Sequence, residues 1–207
     1  SGPGAGRGRL FTVEGGEGAG KSTLARRLAE HLSGLGREVV LTREPGGSPG
    51  AEEIRALIVA GAGERWMPLS ETLLILAARA DHAARLIEPA LARGADVLCD
   101  RYIDSTFAYQ SGGRGLDAGL IEALTRLGGA PAPDFTFLLD VSPEAGLARS
   151  RGGRLGEDRF EKMGQAFHER VRAAFLARAQ AEPNRILTLD AAAPADHLFA
   201  QAQRALE

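Results

Sequence analysis

The feature that most constrains this chain is a glycine-rich segment between an apolar run and a helical pattern. Residues 10–13 are predicted to form a buried strand, and residues 21–35 carry apolar side chains at helical spacing. Residues 15–23 between them read Gly-Gly-Glu-Gly-Ala-Gly-Lys-Ser-Thr. In such a loop, glycines turn backbone N–H groups toward a phosphate, the lysine reaches the β- and γ-phosphates, and the serine hydroxyl ligates Mg²⁺. We therefore predict a nucleoside triphosphate site here.

The whole loop is predicted to bind the triphosphate, with Lys21 as a catalytic cation and Ser22 as a metal ligand. A glycine-rich strand-to-helix turn without function is the alternative, but it does not explain Lys21 and Ser22 at the helix start. The predicted binding residues are Gly15, Gly16, Glu17, Gly18, Ala19, Gly20, Lys21, Ser22 and Thr23.

Strands alternate with helices along the rest of the chain. Strands are predicted at residues 10–13, 38–42, 96–99, 135–139 and 185–189. Helices are predicted at residues 21–35, 49–58, 68–93, 116–127, 159–181 and 195–206. This alternation predicts an α/β fold: a five-stranded parallel sheet with helices on both faces, in the three-layer arrangement of P-loop NTPases. Residues 9–207 are predicted to be a single domain, and residues 1–8 a flexible leader.

Composition excludes several classes of protein. A net charge of -2 over 207 residues excludes a generally basic nucleic-acid binder. The longest apolar run, residues 73–78, is far shorter than the roughly 18 residues of a membrane span. The single cysteine, Cys99, forms no internal disulfide, which fits a reducing cytoplasm.

Two charged residues follow the third predicted strand. Because ligands of such sheets bind beyond the carboxyl ends of the strands, Asp100 is a candidate Mg²⁺ carboxylate. Arg101 comes next and is a candidate both for binding an anionic acceptor and for catalysis. A surface ion pair at a strand end is the alternative.

Four further segments, taken with the phosphate loop, resemble one family. They are residues 42–49 (Thr-Arg-Glu-Pro-Gly-Gly-Ser-Pro) with Glu53-Ile54-Arg55, residues 77–82 (Ala-Ala-Arg-Ala-Asp-His), residues 100–110 from Asp-Arg-Tyr to Ala-Tyr-Gln, and the arginine-rich stretch near residue 150. In this order and spacing they resemble the thymidylate kinases, especially the bacterial branch. The resemblance covers about residues 9–190.

The resemblance implies a nucleoside-monophosphate-kinase-like fold and a reaction. ATP, with Mg²⁺, would phosphorylate dTMP to dTDP in dTTP biosynthesis. A homodimer through the helices near residue 68 is also implied. Two alternatives stay open at this point: a kinase for another nucleoside monophosphate, and a nucleotide-binding switch without catalysis.

The resemblance also implies roles for individual residues. Arg101 looks like the residue that holds the dTMP phosphate, with Arg55 nearby. Arg79 resembles the arginine that binds the thymine carbonyl, and Thr106 sits where the family contacts N3. Tyr109 would pack under the deoxyribose and clash with a ribose 2′-hydroxyl. The full predicted acceptor set is Arg55, Ile75, Arg79, Arg101, Ser105, Thr106, Tyr109 and Gln110. Glu17 is implied near the sugar 3′-hydroxyl and is counted as catalytic.

One position departs from the family pattern. Many members carry a phenylalanine that stacks on thymine four residues before the arginine equivalent to Arg79, whereas this chain has Ile75. Residues 75 and 79 share a helix face. Because stacking is worth about 1–3 kcal/mol per base, we expect looser nucleotide binding here.

Arginines cluster between residues 149 and 159. Arg149, Arg151, Arg154 and Arg159 lie among glycines, which fits a mobile lid over residues 149–158 that brings positive charge to the transferring phosphate. A solvated helix start is the alternative. Some members of the family place an arginine in the phosphate loop, where this chain has Gly18, so the lid must supply the cation. Arg151 and Arg154 are both catalytic candidates, and Arg149 is assigned to the adenine.

Overall fold

In the computed structural model, which describes residues 6–150 and 158–206, five parallel strands form one sheet. They are β1 (Leu10–Gly15), β2 (Val39–Arg43), β3 (Asp96–Asp100), β4 (Phe135–Asp140) and β5 (Ile186–Asp190). Their order across the sheet is β2-β3-β1-β4-β5. The predicted five-stranded parallel sheet is therefore confirmed. Since β1 is central, the loop that follows it opens between the ends of β3 and β4.

Helices cover both faces of the sheet. They are α1 (Lys21–Gly34), α2 (Pro49–Val59), α3 (Pro68–His82), α4 (Glu88–Ala92), α5 (Ile103–Thr106), α6 (Ala118–Leu127), α7 (Pro143–Ser150), α8 (Gln165–Ala181) and α9 (Ala195–Arg204). Alternate side chains of β1 point to opposite faces of the sheet. On one face Phe11 and Val13 pack in a hydrophobic cluster with α1 and α9, and on the other face Leu10 packs with Leu91 of α4. This is the predicted three-layer arrangement.

The helices of this part of the chain differ from the prediction in two ways, by an interruption and by elements that were not predicted. The predicted helix 68–93 is interrupted by a π-helical segment, Ala83–Ile87. Helix α7 was not predicted, and neither was α5 with the π-helical segment Phe107–Gly113 behind it. In that segment a Cβ on Gly113 would come within 2.5 Å of the Phe167 ring, so the glycine lets α8 pack closely rather than breaking the helix.

Contacts of the N-terminal segment begin earlier than the predicted boundary. The backbone N–H of Gly8 donates to Leu91 O at 2.9 Å, and Gly8 is buried. A Cβ on Gly8 would lie 1.8 Å from Ala95 O. Gly8 therefore belongs to the fold rather than to a leader; residues 1–5 lie outside the described residues.

The inclusion of Arg159 among the lid arginines is wrong. Its side chain is fully buried, and it donates to Glu71 Oε2 at 2.5 Å. It also donates to the carbonyl of Ile58 in the last turn of α2 and to those of Ala62 and Gly63 in the segment that follows. A guanidinium held in this way ties the chain after the predicted lid to α2 and α3 and is not available to a phosphate.

The segment around Arg159 also begins differently from the predicted helix 159–181. A short 3₁₀ turn spans Glu161–Met163, and Gly164, at φ 81°, separates it from α8. The long helix therefore starts at Gln165. Within the described residues, no helix is both long and apolar enough to cross a bilayer.

We expect Arg159→Met to lower the free energy of unfolding by about 3–5 kcal/mol, because it leaves the buried Glu71 carboxylate without its main cationic partner. Urea denaturation followed by circular dichroism measures this change. The matched control is Arg93→Met, which removes an exposed pair with Glu38 and is expected to cost less than about 1 kcal/mol. Equal losses in the two variants would contradict the structural role of Arg159.

Candidate active site

The loop after β1 takes a conformation that depends on glycine. Gly15, Gly18 and Gly20 all have positive φ, at 140°, 66° and 93°. A Cβ on Gly18 would lie 1.9 Å from Gly146 O of α7, so this position has no room for a side chain. Lys21 is buried and its Nζ donates to Gly16 O at 2.7 Å, which folds the lysine back over the loop. Strand, loop and helix thus follow one another as the motif predicts.

A cavity of about 410 Å³ opens beside this loop, and we call it the phosphate cavity. Its lining combines cations with three carboxylates: Glu17, Gly18, Gly20, Lys21, Ser22, Thr23, Arg43, Glu44, Arg55, Asp100 and Arg101. The Ser22 hydroxyl donates to Asp100 Oδ2, so the two predicted metal ligands are in contact. Arg43 is a cation that the sequence reasoning missed.

A second cavity, of about 130 Å³, adjoins the first, and we call it the acceptor pocket. It is lined by Glu17, Glu44, Pro45, Arg55, Ile58, Val59, Ile75, Arg79, Arg101, Tyr102, Ser105, Thr106, Tyr109, Gln110, Phe160 and Glu161. All eight predicted acceptor residues are in this lining. Glu17, Glu44, Arg55 and Arg101 line both cavities, so the two share a charged wall.

Arg101 and Glu17 form the ion pair of the shared wall. Arg101 donates to Glu17 Oε1 at 2.8 Å and to Gly15 O at 3.0 Å. Burial would raise the pKa of Glu17, but Arg101 and Lys21 outweigh it and lower that pKa to about 2. Burial opposes the charge of Arg101, yet Tyr109 and Glu17 leave its pKa above the usual value. Both groups are therefore charged at neutral pH.

Arg79 brings a donor group to the acceptor pocket. It is buried on α3 and donates from Nε to Glu44 Oε2 at 2.6 Å and from Nη2 to Thr106 Oγ1 at 2.9 Å. Its Nη1 is buried and has no hydrogen-bond partner among the described residues. The arrangement suits a carbonyl acceptor inside the pocket.

The sequence analysis assigned no role to Glu44, which binds Arg79 directly, or to His82, which binds Glu44. Glu44 Oε1 lies 3.0 Å from His82 Nδ1, and His82 Nε2 lies 2.8 Å from Thr42 Oγ1. The signal was present, because residues 42–49 and 77–82 are two of the family-like segments. Their contact across the fold was not visible in the sequence.

The remaining walls of the acceptor pocket are aromatic and aliphatic. The Tyr109 hydroxyl donates to Glu17 Oε1 at 2.6 Å, and its ring meets Phe160 edge-on at 5.5 Å. Ile75 lines the pocket, as does Phe160, which the sequence reasoning did not select. Gln110 is buried and donates to Glu71 Oε1 at 3.0 Å.

The third cavity, of about 310 Å³, continues from the phosphate loop toward α9, and we call it the outer cavity. Ala19 and Arg149 line it, and Arg149 Nη1 donates to Ala191 O at 2.8 Å. This position fits the predicted place of Arg149 beside an adenine. The catalytic candidates Arg151 and Arg154 lie outside the described residues.

Comparisons with known proteins agree with this geometry. The family model described as "Thymidylate kinase" matches residues 13–202. The chain belongs to the thymidylate kinase family. A "Thymidylate kinase" of Caulobacter vibrioides is 54% identical over 196 residues, which cover 94% of this chain and 93% of that protein. Another, from Pseudomonas fluorescens strain SBW25, is 56% identical over 193 residues, covering 92% of this chain and 91% of the relative.

A solved structure extends the comparison to three dimensions. The crystal structure of thymidylate kinase from Ehrlichia chaffeensis matches with a TM-score of 0.79 and 33% sequence identity. The match covers 97% of this chain and 99% of that one. The predicted family and fold are therefore confirmed, while the roles of single residues toward substrates stay predictions.

The pKa of Lys21 predicts how ATP use depends on pH. Burial, with Arg101 adding to it, lowers this pKa from its usual value to about 8. The cationic form, present below this pKa, is the one that attracts a triphosphate. We therefore expect kcat/KM for ATP, which reports on the free enzyme, to fall as pH rises above about 8.

A coupled ADP assay at saturating dTMP measures this profile. Circular dichroism over the same pH range is the control for loss of the fold. A kcat/KM that stays level to about pH 9.5 would contradict the prediction.

Proposed function

We propose that this chain transfers the γ-phosphoryl group of ATP to the phosphate of dTMP, giving ADP and dTDP. ATP takes the phosphate cavity and the outer cavity, and dTMP takes the acceptor pocket. The observation that carries this division is the shared wall, because Arg101 and Glu17 line both the phosphate cavity and the acceptor pocket. A nucleotide-binding switch has no use for a second pocket of this kind.

The reaction asks for alignment and charge neutralisation rather than for a general base. The second ionisation of the acceptor phosphate has a pKa near 6, so at neutral pH it is largely a dianion and already nucleophilic. Two anionic groups must still be brought into line. Lys21 faces the donor phosphates, and Arg101, on the shared wall, offsets the repulsion between donor and acceptor.

Mg²⁺ is part of the proposal, and the donor set fits it. Ser22 Oγ and Asp100 Oδ2 are hard oxygen donors in contact at the phosphate loop. Among the described residues, no group of three or more His, Cys, Asp and Glu could hold a metal, and Mg²⁺ at kinase sites is held by one or two protein oxygens together with substrate phosphates. When bound, the ion supplies positive charge to the donor phosphates.

The proposal has three further parts, which concern the lid cation, the oligomeric state and the cellular compartment. Arg151 or Arg154 supplies the lid cation, since Gly18 leaves no space for one in the loop. A homodimer through α2 and α3 would cover Leu57, Leu69 and Leu73, which are 40–49% exposed. A reducing cytoplasm keeps the buried thiol of Cys99 free.

Replacement of either central cation tests the mechanism. We expect Lys21→Ala or Arg101→Ala to lower kcat for dTDP formation by about 10²–10³-fold with the fold intact, because each removes a donor aimed at developing charge. The control is Lys162→Ala at the only other lysine, which is 54% exposed and paired with Asp158. Near-normal turnover in either test variant would defeat the assignment.

The alternative of another nucleotide substrate is favoured by one observation, the aliphatic Ile75 at the base wall. ADP release with dTMP, dUMP, dCMP, dGMP and AMP separates the two readings. Thymine and uracil differ by one methyl group, worth about 1–3 kcal/mol, so dUMP is the closest competitor. Faster turnover of any of the others than of dTMP would replace the proposal.

An aromatic residue at this wall should tighten dTMP binding. We expect Ile75→Phe to lower KM for dTMP by about fivefold or more, because base stacking contributes about 1–3 kcal/mol. KM for ATP, whose cavities do not include residue 75, is the internal control. A KM for dTMP that is unchanged or raised would show that Ile75 does not face the base.

A further inference from the structure

Glu14 is a fully buried carboxylate that neither the motif nor the mechanism explains. It stands on β1 directly before the phosphate loop and is 0% exposed. Its Oε1 accepts from the backbone N–H groups of Tyr102 at 2.8 Å and Ser105 at 3.1 Å. Its Oε2 accepts from the Ser105 hydroxyl at 2.5 Å. One side chain thus binds both the turn after β3 and the following helix α5 to the central strand.

The residue enclosed by this turn has an unusual backbone. Arg101 has a φ of 66°, and among the described residues no other residue except glycine has a positive φ. Side chains with a Cβ rarely adopt this left-handed region, so neighbouring contacts must hold it. The N–H of Arg101 donates to Val13 O at 2.9 Å, and the next N–H, of Tyr102, donates to Glu14. Two consecutive residues of β1 therefore fix the backbone on both sides of Arg101.

This backbone sets where the guanidinium lies. From the left-handed position, Arg101 reaches Gly15 O, Glu17 and, at 3.3 Å, the hydroxyl of Ser105, which Glu14 also binds. Glu14 itself lines neither the phosphate cavity nor the acceptor pocket. It reaches the site only through the residues it binds: Arg101 by way of the turn, and Tyr102 and Ser105, which line the acceptor pocket.

We propose that Glu14 is a positioning residue that holds Arg101 in its left-handed conformation, so that the guanidinium stands between the donor and acceptor phosphates. This inference rests on the proposed function, since it assigns Arg101 to the transfer. It adds a link between the strand that carries the phosphate loop and the turn that carries the acceptor arginine.

The charges around Glu14 distinguish a role in positioning Arg101 from a contribution to the stability of the fold. Burial, and then the nearby Asp104, raise the pKa of Glu14 to about 7. Asp104 has its own partners in Arg178 and Arg185, at 2.9 and 2.8 Å. Since its surroundings disfavour its charge, a neutral isostere at position 14 should leave the fold nearly as stable. Its effect should instead appear in the rate.

Two substitutions of graded severity test the proposal. Glu14→Gln retains one oxygen to accept from the backbone, whereas Glu14→Met has a similar length and retains none. We expect kcat for dTDP formation to fall by about tenfold in the first and about a hundredfold in the second, because a displacement of about 1 Å near the chemistry can cost 10²-fold. Thermal denaturation of each variant measures its stability.

The control is Asp96→Asn, which alters a fully buried carboxylate at the opposite end of the sheet. Asp96 Oδ1 accepts the N–H of Arg9 at 2.9 Å, and Asp96 also pairs with Arg37, so it too joins backbone and side chain. We expect this variant to lose stability while the folded protein keeps its kcat. A kcat loss in Asp96→Asn as large as that in Glu14→Gln would overturn the proposal.

A double-mutant cycle decides whether Glu14 acts through Arg101. In an Arg101→Ala background, Glu14→Gln should cause no further loss of kcat, because the group it positions is gone. Full additivity of the two losses would overturn the proposal, as would a Glu14→Gln kcat within about twofold of the unsubstituted chain. Failure of the unsubstituted chain to make dTDP would instead defeat the proposed function.

Discussion

The ion pair between Arg101 and Glu17 is the contact on which the arrangement of the site depends. Glu17 belongs to the loop after β1, Arg101 to the turn after β3, and neighbouring parallel strands bring the two ends together. Tyr109 joins the same carboxylate from the following π-helical segment. Three separate parts of the chain therefore meet at one partly buried pair, and both cavities are lined by it.

This pair also defines how charge is distributed in the site. In the proposed reaction Arg101 serves two anionic substrates, and such a cation needs a fixed direction, because a mobile one would follow whichever phosphate bound first. Glu17 Oε1 and Gly15 O, both belonging to the protein itself, hold the guanidinium at 2.8 and 3.0 Å. Preorganised charge of this kind requires no rearrangement when the phosphates arrive, which is why it contributes strongly to catalysis.

The sequence predicted the parts of the site that are local in the chain. The phosphate loop is contiguous, so its glycines, Lys21 and Ser22 were visible at once, and the family-like segments pointed to residues that line the acceptor pocket. Contacts between distant positions were not visible. Arg159 and Glu71 are 88 residues apart, and an arginine beside glycines has the same composition whether it is buried or free. Phe160 in the pocket wall and the contacts of Glu14 were missed for the same reason, because packing of distant segments determines both.

The close approach of Gly18 to Gly146 limits how this enzyme can diverge. A bulky cation in the loop would have to displace the backbone of α7, so it cannot arise by one substitution while that helix stays in place. The loop and α7 are therefore coupled: any side chain at residue 18 requires the backbone near Gly146 to move away from the loop.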